Sequence, residues 1–194
     1  MSDHIIAKQK IGIDLDGLLL NTVNQALAKV SRSDNARGIG VYKNFMYAVS
    51  IAFGAGGSLA DVSSRESIAR QIRKDFSELI RKTADVADYS IITARNDHIE
   101  DIRDVLRSEG IKIDIKVRSN GEKTRENGIK IHIDDNPIVF VSNGHALGVL
   151  FVTDYNNYMS KLFSVLYKIL GKEVKLAHSV EEIERIVRAF AGQG

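Results

Sequence analysis

The sequence predicts an α/β fold in which one parallel sheet carries helices on both faces. Short apolar segments alternate with amphipathic helical segments over the C-terminal half of the chain, and this alternation is typical of parallel sheets. The length of 194 residues suffices for one ordinary domain with a sizeable core. Hydrophobic residues make up 44% of the sequence and charged residues 27%, which is close to the average of globular proteins.

The predicted strands are five apolar runs. In chain order they span residues 9–15, 87–93, 111–117, 129–134 and 147–152. After the second run, Asp97 is the expected N-cap of a helix that ends at Gly110. Pro137 is expected to begin a helix after the fourth run. Near the C-terminus, Ser179 and Glu182 form a capping box ahead of an apolar stripe, which predicts the last helix. This order of elements indicates a Rossmann-like sheet.

Residues 22–85 interrupt the alternation, because they contain helical patterns and no convincing strand. We predict that they form a small helical cap inserted after the first strand, whereas residues 1–21 and 86–194 form the α/β core. The clearest helix of the cap begins near Ser63 or Ser64. Its apolar residues, at spacings of three and four, are expected to be buried: Ile68, Ile72, Phe76, Leu79 and Ile80. Six Arg and Lys side chains on this segment form either a solvated face or contacts to an anionic substrate.

Charge, cysteine content and hydropathy restrict the classes of partner. A formal net charge of +2 is too small to indicate a nucleic-acid or membrane partner. The absence of Cys excludes disulfides, thiolate metal sites and a Cys nucleophile. The N-terminus lacks the pattern of a signal peptide, and no apolar segment reaches the roughly 18 residues of a transmembrane helix. We therefore expect a soluble, cytoplasmic protein without a membrane partner.

Two predicted strands end in pairs of carboxylates. Asp14 and Asp16 follow the first strand, and Asp134 and Asp135 follow the fourth. Because the C-terminal ends of parallel strands meet at one edge of the sheet, we expect these acids to surround one small volume, which Thr93 also lines. Carboxylates packed together repel unless a proton or a cation intervenes. Oxygen ligands suit a hard divalent cation, so the pattern predicts a metal site at these four acids.

Four short motifs succeed one another along the chain. They are Asp14-Leu15-Asp16-Gly17, Ser90-Ile91-Ile92-Thr93-Ala94-Arg95, Gly121-Glu122-Lys123-Thr124 and Asp134-Asp135. In residue type, order and spacing they resemble the motifs of the haloacid dehalogenase-like (HAD) hydrolase superfamily. Lys116 and Lys130 compete with Lys123 for the Lys of the third motif. We prefer Lys123, because Lys116 lies inside a predicted strand and Lys130 begins one.

The resemblance implies a magnesium-dependent phosphomonoester hydrolase that works through an aspartyl-phosphate. Asp14 would be the nucleophile. Asp16 would protonate the leaving alcohol and then take a proton from the water that hydrolyses the intermediate. Mg²⁺ would be bound by Asp14, by the backbone carbonyl of Asp16 and by Asp134, with Asp135 in or near the coordination shell.

The same resemblance assigns the substrate phosphate to three groups. Thr93, the backbone N–H of Ala94 and the ammonium of Lys123 would hold the phosphate oxygens. Arg95, at the mouth of the crevice, is open to two interpretations: a substrate contact or a surface ion pair. His132 alternates with apolar residues on a predicted strand, so we interpret it as a histidine of the core or of the sheet face.

Within the superfamily, the chain looks most like the 5'(3')-deoxyribonucleotidase-like group. The shared features are the helical cap, a Lys eleven residues before Asp134, and the pair Tyr155-Asn156 after the last core strand. They imply a small phosphorylated substrate, such as a nucleoside monophosphate. Two alternatives stay open: a phosphatase that acts on polynucleotide ends, with nucleic acid as a partner, and a non-catalytic binding or regulatory module of this fold.

The oligomeric state also stays open at this level. After the fifth strand, a helix is expected whose apolar residues pack inward: Tyr158, Leu162, Phe163 and Leu166. The apolar segment from Leu162 to Leu170 fits either the core or a dimer interface.

Overall fold

The computed structural model describes residues 8–22, 64–142, 144–154 and 156–192. Six strands in this part of the chain form one sheet: β1 (Gln9–Ile13), β2 (Ala87–Thr93), β3 (Asp114–Val117), β4 (Ile131–Asp134), β5 (Leu147–Phe151) and β6 (Val174–Ala177). The strand order is β3-β2-β1-β4-β5-β6, and every neighbouring pair is parallel. These findings confirm the predicted Rossmann-like α/β fold.

The two central strands differ from the edge strand β6, which was not predicted. In β1 and β4, the apolar residues Ile11, Ile13 and Ile131 are completely buried, as expected for strands covered on both faces. In β6, only Ala177 is buried, and Lys175 is exposed. β6 has only four residues, and Lys175 interrupts its apolar residues, so hydropathy alone does not indicate a strand there.

Five α-helices in the described part of the chain cover the sheet: α1 (Arg65–Gln71), α2 (Lys74–Lys82), α3 (Ile99–Ser108), α4 (Asn157–Ile169) and α5 (Val180–Ala191). A large hydrophobic cluster joins the sheet to α1, α2, α3 and α5, and a smaller one joins it to α4. Successive residues of β5 belong to different clusters, Val149 to the larger and Leu150 to the smaller. The clusters therefore lie on opposite faces. No helix in the described ranges is long and apolar enough to cross a bilayer.

The register of the sheet places the predicted site residues at one edge. Ile13 on β1 is aligned with Ile133 on β4, so Asp14 and Asp134 each lie one residue beyond the same level. The backbone N–H of Asp14 continues the ladder and donates to the carbonyl of Ile133 at 2.9 Å. Thr93 is the last residue of the neighbouring strand β2. The register of the strands is therefore sufficient to bring these three residues to the same edge of the sheet.

The helix predicted to begin near Ser64 is in fact two helices. Ser64 is the N-cap of α1, as expected, but Ile72 is extended and ends the helix. The backbone N–H of Arg73 donates instead to the carbonyl of Leu19, at 2.9 Å. The segment that follows β1 thus takes a hydrogen bond that a continuous helix would use internally.

Most of the predicted cap, residues 23–63, lies outside the described residues, so the division of the chain into core and cap stays a prediction. Its last part, α1 and α2, packs in the large hydrophobic cluster through Ile68, Phe76 and Leu79. The ring of Phe76 meets that of Phe151 edge to face, with centroids 5.3 Å apart. These two helices are therefore packed like helices of the core.

The start of α3 differs from the prediction. His98 occupies the N-cap position with φ of 54°, whereas the side chain of Asp97 accepts a hydrogen bond from Arg95 at 3.0 Å. The side chain of Asp97 therefore binds Arg95 and does not cap the helix. Two other predicted helix boundaries are confirmed: Gly110 follows the end of α3 with φ of 79°, and Ser179 is the N-cap of α5.

The orientation predicted for α4 is wrong at Leu162. Phe163 and Leu166 are half-buried, and Tyr167 is buried, but Leu162 lies on the outer face. The side chain of Tyr158 lies outside the described set. The outer face of α4 carries three exposed apolar side chains: Leu162, 58% exposed, Val165, 56%, and Ile169, 75%. The core interpretation therefore does not hold for this face of the helix.

Candidate active site

Lys123 lies between the ends of the two central strands. Its Nζ atom is 2.8 Å from Oδ1 of Asp14 and 3.0 Å from Oδ2 of Asp134. The side chain is 2% exposed and extends from a short 3₁₀-helix, Lys123–Arg125. The two competing lysines lie elsewhere: Lys116 pairs with Glu126 at 3.1 Å, and Lys130 is exposed. The Lys preferred from the sequence is thus the one that the fold brings to the carboxylates.

Three of the four predicted metal ligands form a group. Asp14, Asp134 and Asp135 each offer a carboxylate oxygen, and these oxygens lie within 4.8 Å of one another. All three residues are buried. Asp134 is held by the backbone N–H of Asn136, which donates to its Oδ1 at 2.9 Å. Oδ2 of Asp135 is buried and has no hydrogen-bond partner among the described residues.

The charges of this group are not balanced. Burial, followed by repulsion from Asp134, raises the pKa of Asp14 to about 7. Burial, followed by repulsion from Asp134 and Asp14, raises the pKa of Asp135 well above its usual range. Burial opposes ionisation of Asp134 as well, but the positive charge of Lys123 and a hydrogen bond from His132 lower its pKa. The two carboxylates beside Lys123 in turn outweigh the effect of burial and raise its pKa, so the Lys stays charged.

Asp16 lies apart from these three carboxylates. Arg95 holds it with a fork of two hydrogen bonds, from Nε to Oδ2 at 3.0 Å and from Nη2 to Oδ1 at 2.9 Å. The guanidinium also donates to Asp97, and the backbone N–H of Arg95 donates to Oγ1 of Thr93 at 3.1 Å. Thr93 is buried, whereas Ala94 is exposed at the same strand end. Arg95 thus forms an ion pair, but its side chain is buried and not at the surface as one interpretation expected; the substrate contact stays a prediction.

The loop that carries Asp14 and Asp16 is closed by backbone hydrogen bonds. Gly17 adopts φ of 82°, which a residue with a side chain rarely adopts, and its N–H donates to Leu20 at 2.8 Å. The Nη1 group of Arg73 donates to the carbonyl of Gly17 at 3.1 Å. Sequence reasoning missed this contribution of Arg73, because no motif links residues so distant in the chain.

His132 contacts the site from behind. Its Nε2 atom is 3.1 Å from Oδ2 of Asp134, and the residue is completely buried. The predicted core histidine is thus also a contact of Asp134, as the two-residue spacing along β4 allows. Gly12 on β1 leaves room for the ring, since a Cβ there would lie 2.7 Å from Nδ1 of His132. Burial lowers the pKa of this histidine.

Asn156 ties the ends of β4 and β5 together. Its Nδ2 group donates to the carbonyls of Asp135 and Phe151, each at 2.8 Å, while its Oδ1 accepts from the N–H of Thr153 at 2.7 Å. The sequence pointed to this position through the pair with Tyr155, which lies outside the described residues. Asn156 therefore fixes the backbone that carries Asp135.

One solved structure agrees with this fold. Neither a protein-family model nor a curated protein sequence matches the chain. Among solved structures, a HAD-superfamily hydrolase of subfamily IA, variant 1, from Geobacter sulfurreducens aligns with 93% of this chain and 100% of its own, with 13% identity and a TM-score of 0.52. An L-2-haloacid dehalogenase from Xanthobacter autotrophicus aligns with 94% of this chain and 99% of its own, with 10% identity and a TM-score of 0.49. The first comparison shows that the chain shares the fold of a HAD-superfamily hydrolase.

Proposed function

We propose that this protein is a magnesium-dependent phosphomonoester hydrolase that forms an aspartyl-phosphate on Asp14. The observation that carries the proposal is the contact of Asp14 with Lys123, at 2.8 Å, beside two further buried carboxylates. The solved structure with the same fold is named as a hydrolase, which supports the same class of reaction.

The surroundings of Asp14 suit a nucleophile. Lys123 is buried and charged, so it orients one oxygen of the carboxylate and favours the ionised form that attacks phosphorus. Burial otherwise disfavours that form, with a pKa of about 7 in the metal-free protein. An additional positive charge at this position would therefore increase the fraction of Asp14 that is ionised at neutral pH.

The three buried carboxylates provide ligands that suit a magnesium ion. Asp14, Asp134 and Asp135 offer hard oxygen ligands, and the buried Oδ2 of Asp135 has no partner among the described residues. These three residues would hold the ion, and the fourth predicted ligand, Asp16, would contribute its backbone carbonyl rather than its carboxylate. When bound, Mg²⁺ would offset the negative charges of nucleophile and phosphate, and so reduce their repulsion.

Three residues at the strand ends have the remaining roles. Asp16 is 18% exposed at the side chain and would exchange protons with the leaving alcohol and with water. Thr93 would donate its hydroxyl hydrogen to a phosphate oxygen, and the exposed N–H of Ala94 would donate a second hydrogen bond. For the leaving group we propose a small alcohol such as a nucleoside, by resemblance to the deoxyribonucleotidase-like group.

The alternative of a polynucleotide-end phosphatase receives less support from the basic helices. On α1 and α2, Arg65 pairs with Asp101 and Asp104, and Lys82 pairs with Glu78. These pairs reduce the positive charge that a phosphate backbone would meet. They fit the predicted solvated face better than a surface for nucleic acid.

A magnesium-supplemented screen tests the proposal. The substrates are nucleoside monophosphates, sugar phosphates and phosphorylated oligonucleotides, assayed by phosphate release at low salt. We expect activity on the small esters, and a loss of about a thousandfold or more in Asp14→Asn, because the nucleophile is removed. Asp88→Asn is the matched control, since it makes the same change at an exposed position of β2.

Several outcomes would contradict the proposal. Equal activity of Asp14→Asn and the parent would exclude the aspartyl-phosphate, and activity in excess chelator would exclude the role of the metal. A parent that releases phosphate only from oligonucleotides would favour the end-processing alternative. A parent inactive on every substrate would favour the non-catalytic module.

A further inference from the structure

We propose that Arg95 is a positioning residue that fixes the carboxylate of Asp16 for proton transfer. The inference rests on the proposed function, because it assigns Asp16 the role of proton carrier in phosphoester hydrolysis. Arg95 is the last residue of the second motif, and its contact with Asp16 joins residues 79 positions apart in the chain.

Arg95 is buried and is held in place by hydrogen bonds. Its side chain is 1% exposed, compared with 18% for Asp16. Asp97 accepts from Nη1 at 3.0 Å, and Thr93 accepts from the backbone N–H at 3.1 Å. The Arg is thus anchored independently of Asp16, and its planar fork then determines the plane and rotamer of the Asp16 carboxylate.

The fork leaves Asp16 able to carry a proton. A carboxylate has about four lone-pair sites on its two oxygens, and the two hydrogen bonds from Arg95 occupy one site on each oxygen. The remaining site on each oxygen can hold the proton that is transferred. Positioning and proton transfer are therefore compatible at the same side chain.

The proton movements balance over the two steps. In the first, an oxygen of Asp14 bonds to phosphorus, the bond from phosphorus to the leaving oxygen breaks with its electron pair on oxygen, and Asp16 gives that oxygen its proton. In the second, a water oxygen bonds to phosphorus while Asp16 takes a proton from the water, and the bond to Asp14 breaks with its electrons returning to the carboxylate. Asp16 ends protonated, as it began.

Direct substrate binding is a poorer account of Arg95. Three of its five N–H groups are used on Asp16 and Asp97, and its side chain is 1% exposed, so the two acids hold it in place. The two roles differ in their kinetic consequences. A substrate contact acts on KM for every ester, whereas a positioned acid acts on kcat and only where the leaving group needs a proton.

The test compares Arg95→Lys with the parent on two esters in the presence of Mg²⁺. Glycerol 2-phosphate has a poor leaving group that needs a proton, and p-nitrophenyl phosphate has a good one that does not. Lys keeps the charge but cannot form the planar fork. We expect kcat to fall about tenfold or more on glycerol 2-phosphate and less than about threefold on p-nitrophenyl phosphate, with KM unchanged on both.

Three further variants make the result decisive. Arg65→Lys is the matched control, because Arg65 also contacts two Asp side chains but is 61% exposed and distant in the chain from the motifs; we expect parental kinetics. In an Asp16→Asn background, Arg95→Lys should cost nothing more on glycerol 2-phosphate, since the group it positions is gone. Asp97→Asn, a milder change at an exposed anchor, should cause a few-fold loss on the same ester alone.

The outcomes separate the two proposals. If the parent hydrolyses neither ester, the proposed function fails and this inference fails with it. If the parent is active but Arg95→Lys loses activity equally on both esters, or changes KM alone, only the positioning role is overturned. Should Arg95→Lys fail to fold, equal losses on both esters in Asp97→Asn would overturn it.

Discussion

Two charged clusters at the same sheet edge handle their carboxylates differently. The Lys123 cluster consists of Lys123, Asp14, Asp134 and Asp135, and the Arg95 cluster consists of Arg95, Asp16 and Asp97. The first is buried and holds three carboxylates to one cation, whereas the second is partly exposed and holds two to one. Asp14 and Asp16, only two residues apart, therefore lie in different electrostatic environments.

The cations of the two clusters, Lys123 and Arg95, contact their carboxylates in different ways. The ammonium of Lys123 is compact and contacts two carboxylates from different strands, without determining the plane of either. The guanidinium of Arg95 contacts both oxygens of one carboxylate and determines its plane. In the proposed function, Asp14 therefore needs more positive charge, whereas Asp16 needs orientation.

The largest expected effect is on stability, in Lys123→Met. The change removes a buried cation from between two carboxylates, and breaking a buried ion pair costs about 3–5 kcal/mol. We expect the free energy of unfolding, measured by urea titration in chelator, to fall by that amount. Arg65→Met, which breaks exposed ion pairs, should change it by less than about 1 kcal/mol. Similar losses in the two variants would contradict the difference in burial.

Magnesium should stabilise the protein through the Lys123 cluster. At about 100 times its Kd, a ligand that binds only the folded state stabilises it by about 2.7 kcal/mol, which corresponds to about 5–10 °C in Tm for a chain of this size. Calorimetry of the parent should show this increase, and Asp135→Asn should show much less, because a ligand is lost. An equal increase in both proteins would exclude Asp135 from the metal site.

The pH dependence of stability should distinguish Asp14 from an ordinary carboxyl. Because its pKa is raised from 3.8 to about 7, the folded protein binds this proton more tightly than the unfolded chain does. In chelator, the contribution of Asp14 should therefore become less favourable as the pH rises from about 4 to about 7, by at most about 1.4 kcal/mol per pH unit.

Urea titrations of the parent and Asp14→Asn across that range measure the difference. The variant cannot lose the proton, so its stability should increase relative to the parent as the pH rises. Parallel profiles would show that the carboxyl is not perturbed. Added Mg²⁺ should reduce the difference, because a bound cation favours the ionised form.

Much of the fold was predictable, because hydropathy reports burial. Each Ile of the two central strands β1 and β4 is completely buried, as expected for a parallel sheet that is covered on both faces. Where burial is partial, hydropathy fails: β6 has one buried residue, and on α4 the exposed Leu162 cannot be told from a buried one by residue type. The break between α1 and α2 was also missed, because it depends on hydrogen bonds to a distant segment.

For the site, the chain itself determined which residues close the strands of the sheet and so which chemistry could gather there. Asp14, Thr93 and Asp134 could be predicted because each stands at the end of an apolar strand, and the order of acids along the chain can be read directly from the sequence. Only the tertiary structure decided how the charges pair, with Lys123 between two acids and Arg95 on Asp16. Pairing depends on distances of a few ångströms between residues far apart in sequence, and on the burial that strengthens those charges. These distances are determined only when the sheet forms, so they could not be predicted from residue type and spacing.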